Sequence, residues 1–188
     1  MGRALRTDII EELLLAHVEL RQLICLASSL ASSSATATAA DAARRICEFI
    51  DSDYCLHIAD EEQTLRPRLV GRHAVVDDAL VVMLRDHFRI AATLARLRGL
   101  CSLVANEPTM LHTHRFALDL AVGELARHVE RHHAHEESIV FPAVRRLLEA
   151  GQVDDMLQEM VDRRLDAMVG LMPGPGEPVV AAQPQLLV

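Results

Sequence analysis

The chain has 188 residues, a length that suits one domain with its own hydrophobic core. Its net charge of −8 disfavours binding to nucleic acid, which requires a basic surface for the phosphates, and an aromatic content of 3% provides few rings for stacking on bases. Ten histidines are the one compositional excess, and they need a chemical explanation.

The cysteines and the N-terminal sequence predict a cytoplasmic protein. None of the four cysteines belongs to a C-x-x-C pair, so neither a zinc knuckle nor a redox dithiol is expected. Residues 1–12 lack the apolar core of a signal peptide. We also find no run of about 18 apolar residues, so we expect reduced cysteines and no membrane span.

Apolar residues recur at helical spacing along most of the chain. A first helix is predicted over residues 4–30, and a Ser/Thr-rich connection follows it. Asp41 is the predicted N-cap of a second helix, which ends near Pro67. A third helix is predicted over residues 74–104, before the break at Asn106-Glu107-Pro108.

A fourth helix is predicted from Thr109, with Pro142 expected to kink it or to begin a new segment and Gly151 expected to end it. Residues 153–169 predict a short fifth helix.

Long helices joined by short connections favour an all-α fold. We predict an up-down-up-down four-helix bundle with a short extra C-terminal helix and an extended tail. The bundle domain would cover residues 1–170, and the Pro/Gly-rich tail residues 171–188.

The second and fourth helices contain a repeated motif. Residues 57–67 and residues 132–142 both read H-x-A-x-E-E-x-x-x-x-P. His17 precedes the first copy and His87 precedes the second. The chain therefore consists of two helical hairpins, and each hairpin offers one histidine on its first helix and His-x-x-x-Glu on its second.

This spacing has a chemical meaning, because residues i and i+4 lie one turn apart on the same face of a helix. Buried and unpaired imidazoles and carboxylates are costly, whereas metal ions satisfy both kinds of group together. Mixed imidazole and carboxylate ligands suit iron, manganese or zinc, and two carboxylates that can bridge suggest two ions. The predicted ligands are His17, His57, Glu61, His87, His132 and Glu136.

These residues, in this order, resemble the pattern H…HxxxE…H…HxxxE of the hemerythrin-like (HHE) family, and the resemblance covers about residues 5–150. It implies a four-helix bundle with two iron ions joined by an oxo or hydroxo bridge. The two glutamates would be the bridging carboxylates, and zinc or manganese are alternative metals.

One departure from the oxygen carriers of this family concerns the third helix. Those proteins have a pair of histidines one turn apart there, whereas Met83 and Ala91 flank His87. Two further residues are candidate ligands that could fill the gap: Tyr54, three residues before His57, and His128, four residues before His132.

Other polar residues beside the motif are given less direct roles. His133 and His135 flank the inward stripe and are expected to face solvent or the edge of the bundle. Glu62 and Glu137 are expected to be outer acids, one of which could orient a ligand histidine through its free N–H.

The leading functional hypothesis is a di-iron protein that handles a small oxidant or gas. It could decompose hydrogen peroxide, with a catalase-like or peroxidase-like activity, or bind or sense dioxygen or nitric oxide. The alternative is a protein that stores or delivers iron, or repairs iron sites, without turnover. A signalling module that reports metal state through its fifth helix and tail remains a third reading.

Overall fold

The computed structural model describes residues 8–33 and 38–170, and within these ranges the chain is helical with no strand. The predicted tail, residues 171–188, lies outside the described residues. The elements are α1 (Ile9–Ser32), α2 (Ala39–Asp51), α3 (Asp53–Ala59), π1 (Asp60–Leu65), α4 (Arg66–Leu69), α5 (Ala74–Asn106), α6 (Met110–His135), π2 (Glu136–Val140), α7 (Phe141–Leu147) and α8 (Ala150–Val169).

Four long units form the predicted up-down-up-down bundle. The first is α1, the second is the run from α2 to α4, the third is α5, and the fourth is the run from α6 to α7. Units one and three each pack against units two and four, so the four surround a common core. The additional helix α8 lies across π1 and the side of α1.

Two predicted helix boundaries are wrong. The second unit begins at Ala39 after Thr38, so Asp41 is not the N-cap but lies in the first turn, where it pairs with Arg44 and where a negative charge suits the helix dipole. The fourth unit ends at Leu147 rather than at Gly151.

Gly151 belongs to α8 because a capping box begins that helix earlier than predicted. The side chain of Glu149 accepts from the backbone at Gln152, and Gln152 Oε1 accepts the backbone N–H of Glu149 at 3.2 Å.

The second unit is also interrupted at Ser52, where the sequence predicts one continuous helix. Ser52 has φ −121° and ψ −78°, and its hydroxyl donates to the carbonyl of Glu48 at 2.7 Å. A serine that bonds back to the preceding turn competes with the helical pattern, which accounts for the break.

The repeated motif produces the same irregularity twice. In π1 the N–H of Arg66 donates to the carbonyl of Glu61, and in π2 the N–H of Phe141 donates to the carbonyl of Glu136. Each bond spans five residues and precedes a proline, which has no N–H and crowds the carbonyl four positions earlier. Pro142 thus begins a new helical segment, as predicted.

The core has two apolar layers with a polar layer between them. Along α1, Leu13 belongs to one apolar cluster and Leu20 to the other, and His17 lies between them. In each of the other three units, the motif residues likewise separate a segment of one apolar cluster from a segment of the other. The fold therefore brings the polar positions of all four units to one level, enclosed above and below by apolar side chains.

One helix among the described residues, α1, is long and apolar enough to cross a membrane by length and composition alone. Core helices of soluble proteins pass the same test. In this structure the buried face of α1 packs against the second and fourth units and includes His17.

Candidate metal centre

The polar layer contains all six side chains that the repeated motif singled out. Each of them is 4% exposed or less, and they come from all four units of the bundle. They are His17 from α1, His57 from α3, Glu61 from π1, His87 from α5, His132 from α6 and Glu136 from π2.

The carboxylate of Glu61 spans the two hairpins. Its Oε1 lies 3.4 Å from Nε2 of His57 and 3.8 Å from Nε2 of His17, both in the first hairpin. Its Oε2 lies 3.0 Å from Nε2 of His87 in the second hairpin. One carboxylate therefore faces histidines from three helices.

The carboxylate of Glu136 spans the layer in the same manner. Its Oε2 lies 3.1 Å from Nε2 of His17 and 3.3 Å from Nε2 of His132, while its Oε1 lies 3.9 Å from Nε2 of His87. Each glutamate thus contacts both hairpins, which is the arrangement that a bridging carboxylate requires.

Several of these atoms are close together without forming hydrogen bonds. Both oxygens of Glu61, Oε1 of Glu136 and Nε2 of His57 and of His87 are buried with no hydrogen-bond partner. Ligand atoms of Glu61, His87, His132 and Glu136 all lie within 4.8 Å of one another. Buried polar atoms without partners are costly, and a cation at their centre would satisfy them together, so the residues present fit a metal centre.

Protonation in this layer is divided between two kinds of histidine. Burial lowers the pKa of every imidazole here, but carboxylates outweigh it at His17 and His87. Glu136 and Glu61 raise the pKa of His17 to about 9, and Glu61 and Glu62 raise that of His87 to about 10. Burial prevails at His57 and His132, where it lowers the pKa to about 4 and to about 3.

The two glutamates are shifted in opposite directions. Burial raises the pKa of both, and at Glu136 the charge of Glu61 raises it further, to about 8. At Glu61 the neighbouring imidazoles of His57, His17 and His87 outweigh burial and hold the pKa well below its usual range. Without metal, the layer thus stores protons on two histidines and on Glu136.

Both outer acids of the motif, Glu62 and Glu137, contact the ring of a motif histidine. The sequence had suggested that one of them could do so. Nδ1 of His17 lies 2.9 Å from Oε1 of Glu137, and Nδ1 of His87 lies 2.7 Å from Oε1 of Glu62. In each pair the acid comes from the opposite hairpin. In the neutral ring, an N–H donated outward at Nδ1 leaves the lone pair of Nε2 to face the layer, which is how histidines are held ready for metals.

The prediction for His133 is wrong, because its side chain is buried and only 2% exposed. Its ring stacks on that of His17, with a centroid separation of 3.6 Å and an interplanar angle of 6°. Arg21, one turn after His17 on α1, lies beside this ring. Its Nη1 is 3.1 Å from Nδ1 of His133.

The two additional candidate ligands lie in different surroundings. Tyr54 is 8% exposed, and its hydroxyl is buried without a hydrogen-bond partner. Burial, followed by the charge of Glu61, raises its pKa above the ordinary value. His128 is not brought into the cluster. Its ring lies near Glu124, at 3.7 Å, and Arg131, in the outer groove between α5 and α6, one helical turn along α6 from the level of His132.

Fold and site together define a helical-bundle protein with an inward cluster of histidines and carboxylates. The model of the hemerythrin HHE cation-binding domain matches residues 8–109 and residues 82–171. The chain therefore belongs to this family of cation-binding domains. No curated protein gives a significant match to the chain.

Proposed function

We propose that the chain is a non-haem di-iron protein that handles a small oxidant or gas. The observation that carries this proposal is the pair of buried carboxylates, Glu61 and Glu136, each of which faces histidines of both hairpins. Both oxygens of Glu61 and one oxygen of Glu136 have no hydrogen-bond partner. Two such carboxylates suit two cations side by side. The proposed ligands are His17, His57, Glu61, His87, His132 and Glu136.

The residues of the chain would bind the two ions and orient the ligand side chains. The metal pair would supply redox chemistry and open coordination positions for a small ligand. Glu62 and Glu137 fix the rings of His87 and His17. The two apolar layers limit the access of water to the site. Four histidines and two carboxylates leave positions open for dioxygen, hydrogen peroxide or nitric oxide.

The absence of a histidine pair on α5 favours oxidant handling or sensing over simple oxygen carriage. We further propose Tyr54 as a residue that can approach the metal, because its buried hydroxyl has no other partner. A phenolate ligand would favour the ferric state and weaken reversible oxygen binding.

The test begins with metal-free protein that is loaded with ferrous iron without oxygen and then exposed to air. We expect about two irons per chain and the near-ultraviolet absorption of a bridged ferric pair. A visible phenolate-to-iron band would add Tyr54 to the ligands. Less than one iron per chain, without these bands, would refute the di-iron proposal.

A second step separates handling of an oxidant from storage of iron. The loaded protein is mixed with hydrogen peroxide or nitric oxide, and in parallel with a strong ferrous chelator. Peroxide turnover, or a spectral change on nitric oxide binding with iron retained, supports the proposal. Rapid transfer of iron to the chelator without turnover would support storage or delivery instead.

A further inference from the structure

His133 is buried at the edge of the polar layer although it is not one of the six motif residues. Its ring lies parallel to that of His17 at 3.6 Å. One ring nitrogen from each of His17, His57 and His133 lies within 4.8 Å of the other two. The side chain therefore belongs to the site by position, and its chemistry needs an account.

Arg21 determines which nitrogen of His133 carries a hydrogen. Nη1 of Arg21 lies 3.1 Å from Nδ1 of His133. A guanidinium group only donates hydrogen bonds, so Nδ1 accepts and has no hydrogen. The neutral ring must then carry its hydrogen on Nε2, which is buried and has no hydrogen-bond partner.

The stacking shows where this N–H points. Nδ1 of His17 contacts Oε1 of Glu137, and that oxygen lies 3.6 Å from Nη1 of Arg21. The two parallel rings thus direct their Nδ1 atoms toward the same Arg21–Glu137 pair. Their Nε2 atoms consequently face the opposite way, into the layer, where Nε2 of His17 lies 3.1 Å from Oε2 of Glu136.

We propose that His133 donates a hydrogen bond from Nε2–H to the small ligand that binds at the metal pair, on the side held by His17 and His57. This rests on the proposed function. The ligand would be a small molecule or anion with an acceptor atom, such as peroxide, dioxygen or azide. A buried N–H without a partner is costly, so a ligand that accepts from it gains affinity. Arg21 is the positioning residue that keeps the hydrogen on Nε2.

The experiment compares azide binding by the iron-loaded full chain with that of two variants. His133→Phe keeps an aromatic ring to stack on His17 but removes the donor. His128→Phe is the matched control, since it makes the same change on the same helix at a residue outside the cluster. We expect all three proteins to hold the same iron content, with azide affinity lower by at least about tenfold in His133→Phe alone, the scale of a hydrogen bond to a charged group.

Two further readouts report the hydrogen bond itself. The azide stretching frequency should shift between H2O and D2O in the native protein and not in His133→Phe. In metal-free protein labelled with ¹⁵N, the nitrogen shifts of His133 should show hydrogen on Nε2, and Arg21→Met should remove this preference.

The outcomes are distinguishable. Loss of iron from His133→Phe would overturn the proposal by making His133 a metal ligand. A hydrogen on Nδ1 of His133 would also overturn it, because Nε2 would then have no hydrogen to donate. Unchanged azide affinity in an iron-loaded variant would overturn it while leaving the proposed function intact. A native chain that takes up no iron would overturn both.

Discussion

The two hairpins present the same candidate ligand residues in different surroundings. Nδ1 of His17 and Nδ1 of His87 each contact an outer glutamate of the opposite hairpin, Glu137 and Glu62. The site is therefore symmetric in the residues that face its centre. This symmetry follows directly from the repeated motif.

The surroundings of the two histidines differ at two matched positions. Beside His17 lie Arg21 of the same hairpin and the buried His133 of the other. The matched positions beside His87 are Ala91, which is exposed, and Ile58, which is partly buried and packs against the apolar core. At these matched positions, only the residues beside His17 include a hydrogen-bond donor. Metal binding can thus be shared equally between the hairpins, while the proposed ligand recognition is confined to the His17 side of the layer.

The two hairpins also differ at the motif residue that precedes Glu61 or Glu136. Asp60 is buried and accepts from Arg163 and from Arg164 of α8, the latter at 2.7 Å. Its counterpart, His135, is partly buried, and its Nε2 lies 3.3 Å from the carbonyl of Ala79. Ion pairs therefore join the first hairpin to α8, whereas the matched position of the second hairpin makes no such pair.

The largest expected effect tests the symmetric part. Glu61→Ala and Glu136→Ala should each abolish the metal pair, because each removes a carboxylate that faces both hairpins. Metal content and the near-ultraviolet band provide the measurement, with the exposed Glu130→Ala on α6 as control. Full iron content in either variant would show that the carboxylate does not bridge.

The next effect tests the fastening of α8. The double variant Arg163→Ala/Arg164→Ala leaves Asp60 buried and unpaired, so the free energy of unfolding should fall by about 3 kcal/mol in metal-free protein. His135→Ala changes the matched position of the other hairpin and should have a much smaller effect. Urea unfolding at neutral pH measures both, and equal losses would contradict the difference between the hairpins.

A third prediction concerns the pH dependence of metal affinity, to which both hairpins should contribute alike. In metal-free protein the pKa is about 9 for His17 and about 10 for His87, so both rings are protonated at pH 7 and must lose a proton to bind metal. Affinity should therefore rise from pH 7 to pH 9, by up to about a hundredfold per pH unit from these two protons. The rise should be steeper still below pH 8, where Glu136, with its pKa raised to about 8, also loses a proton. Titration with zinc, which has no redox chemistry, provides the measurement. A flat profile would mean that metal binding does not displace protons from these histidines.

The smallest effect separates the two outer glutamates. Glu62→Ala and Glu137→Ala should each weaken metal binding by about tenfold to a hundredfold, since each releases the ring of a ligand histidine. The loss should be larger for Glu62. Arg21 competes for Glu137 at 3.6 Å, and the contact between His87 and Glu62, at 2.7 Å, is shorter than that between His17 and Glu137, at 2.9 Å. Zinc affinities of the two variants decide it, and a larger loss for Glu137 would reverse the assignment.

The six motif residues and the bundle could be predicted because periodicity, spacing and repetition along the sequence all depend on local geometry. His133 could not, since its burial arises from stacking on His17 of another helix. An α-helical wheel places the residue after His132 about 100° away from the inward face. The same applies to Asp60, whose burial depends on two arginines about a hundred residues later in the chain.

The ion pairs between Asp60 and α8 also determine where the domain can be cut. A four-helix bundle would be complete at Leu147, yet a chain shortened there would leave the Asp60 carboxylate, next to Glu61, without Arg163 and Arg164. The match to the family model likewise extends to residue 171, just beyond the end of α8. In fusions or transplants of this domain, the C-terminal junction therefore belongs after residue 170.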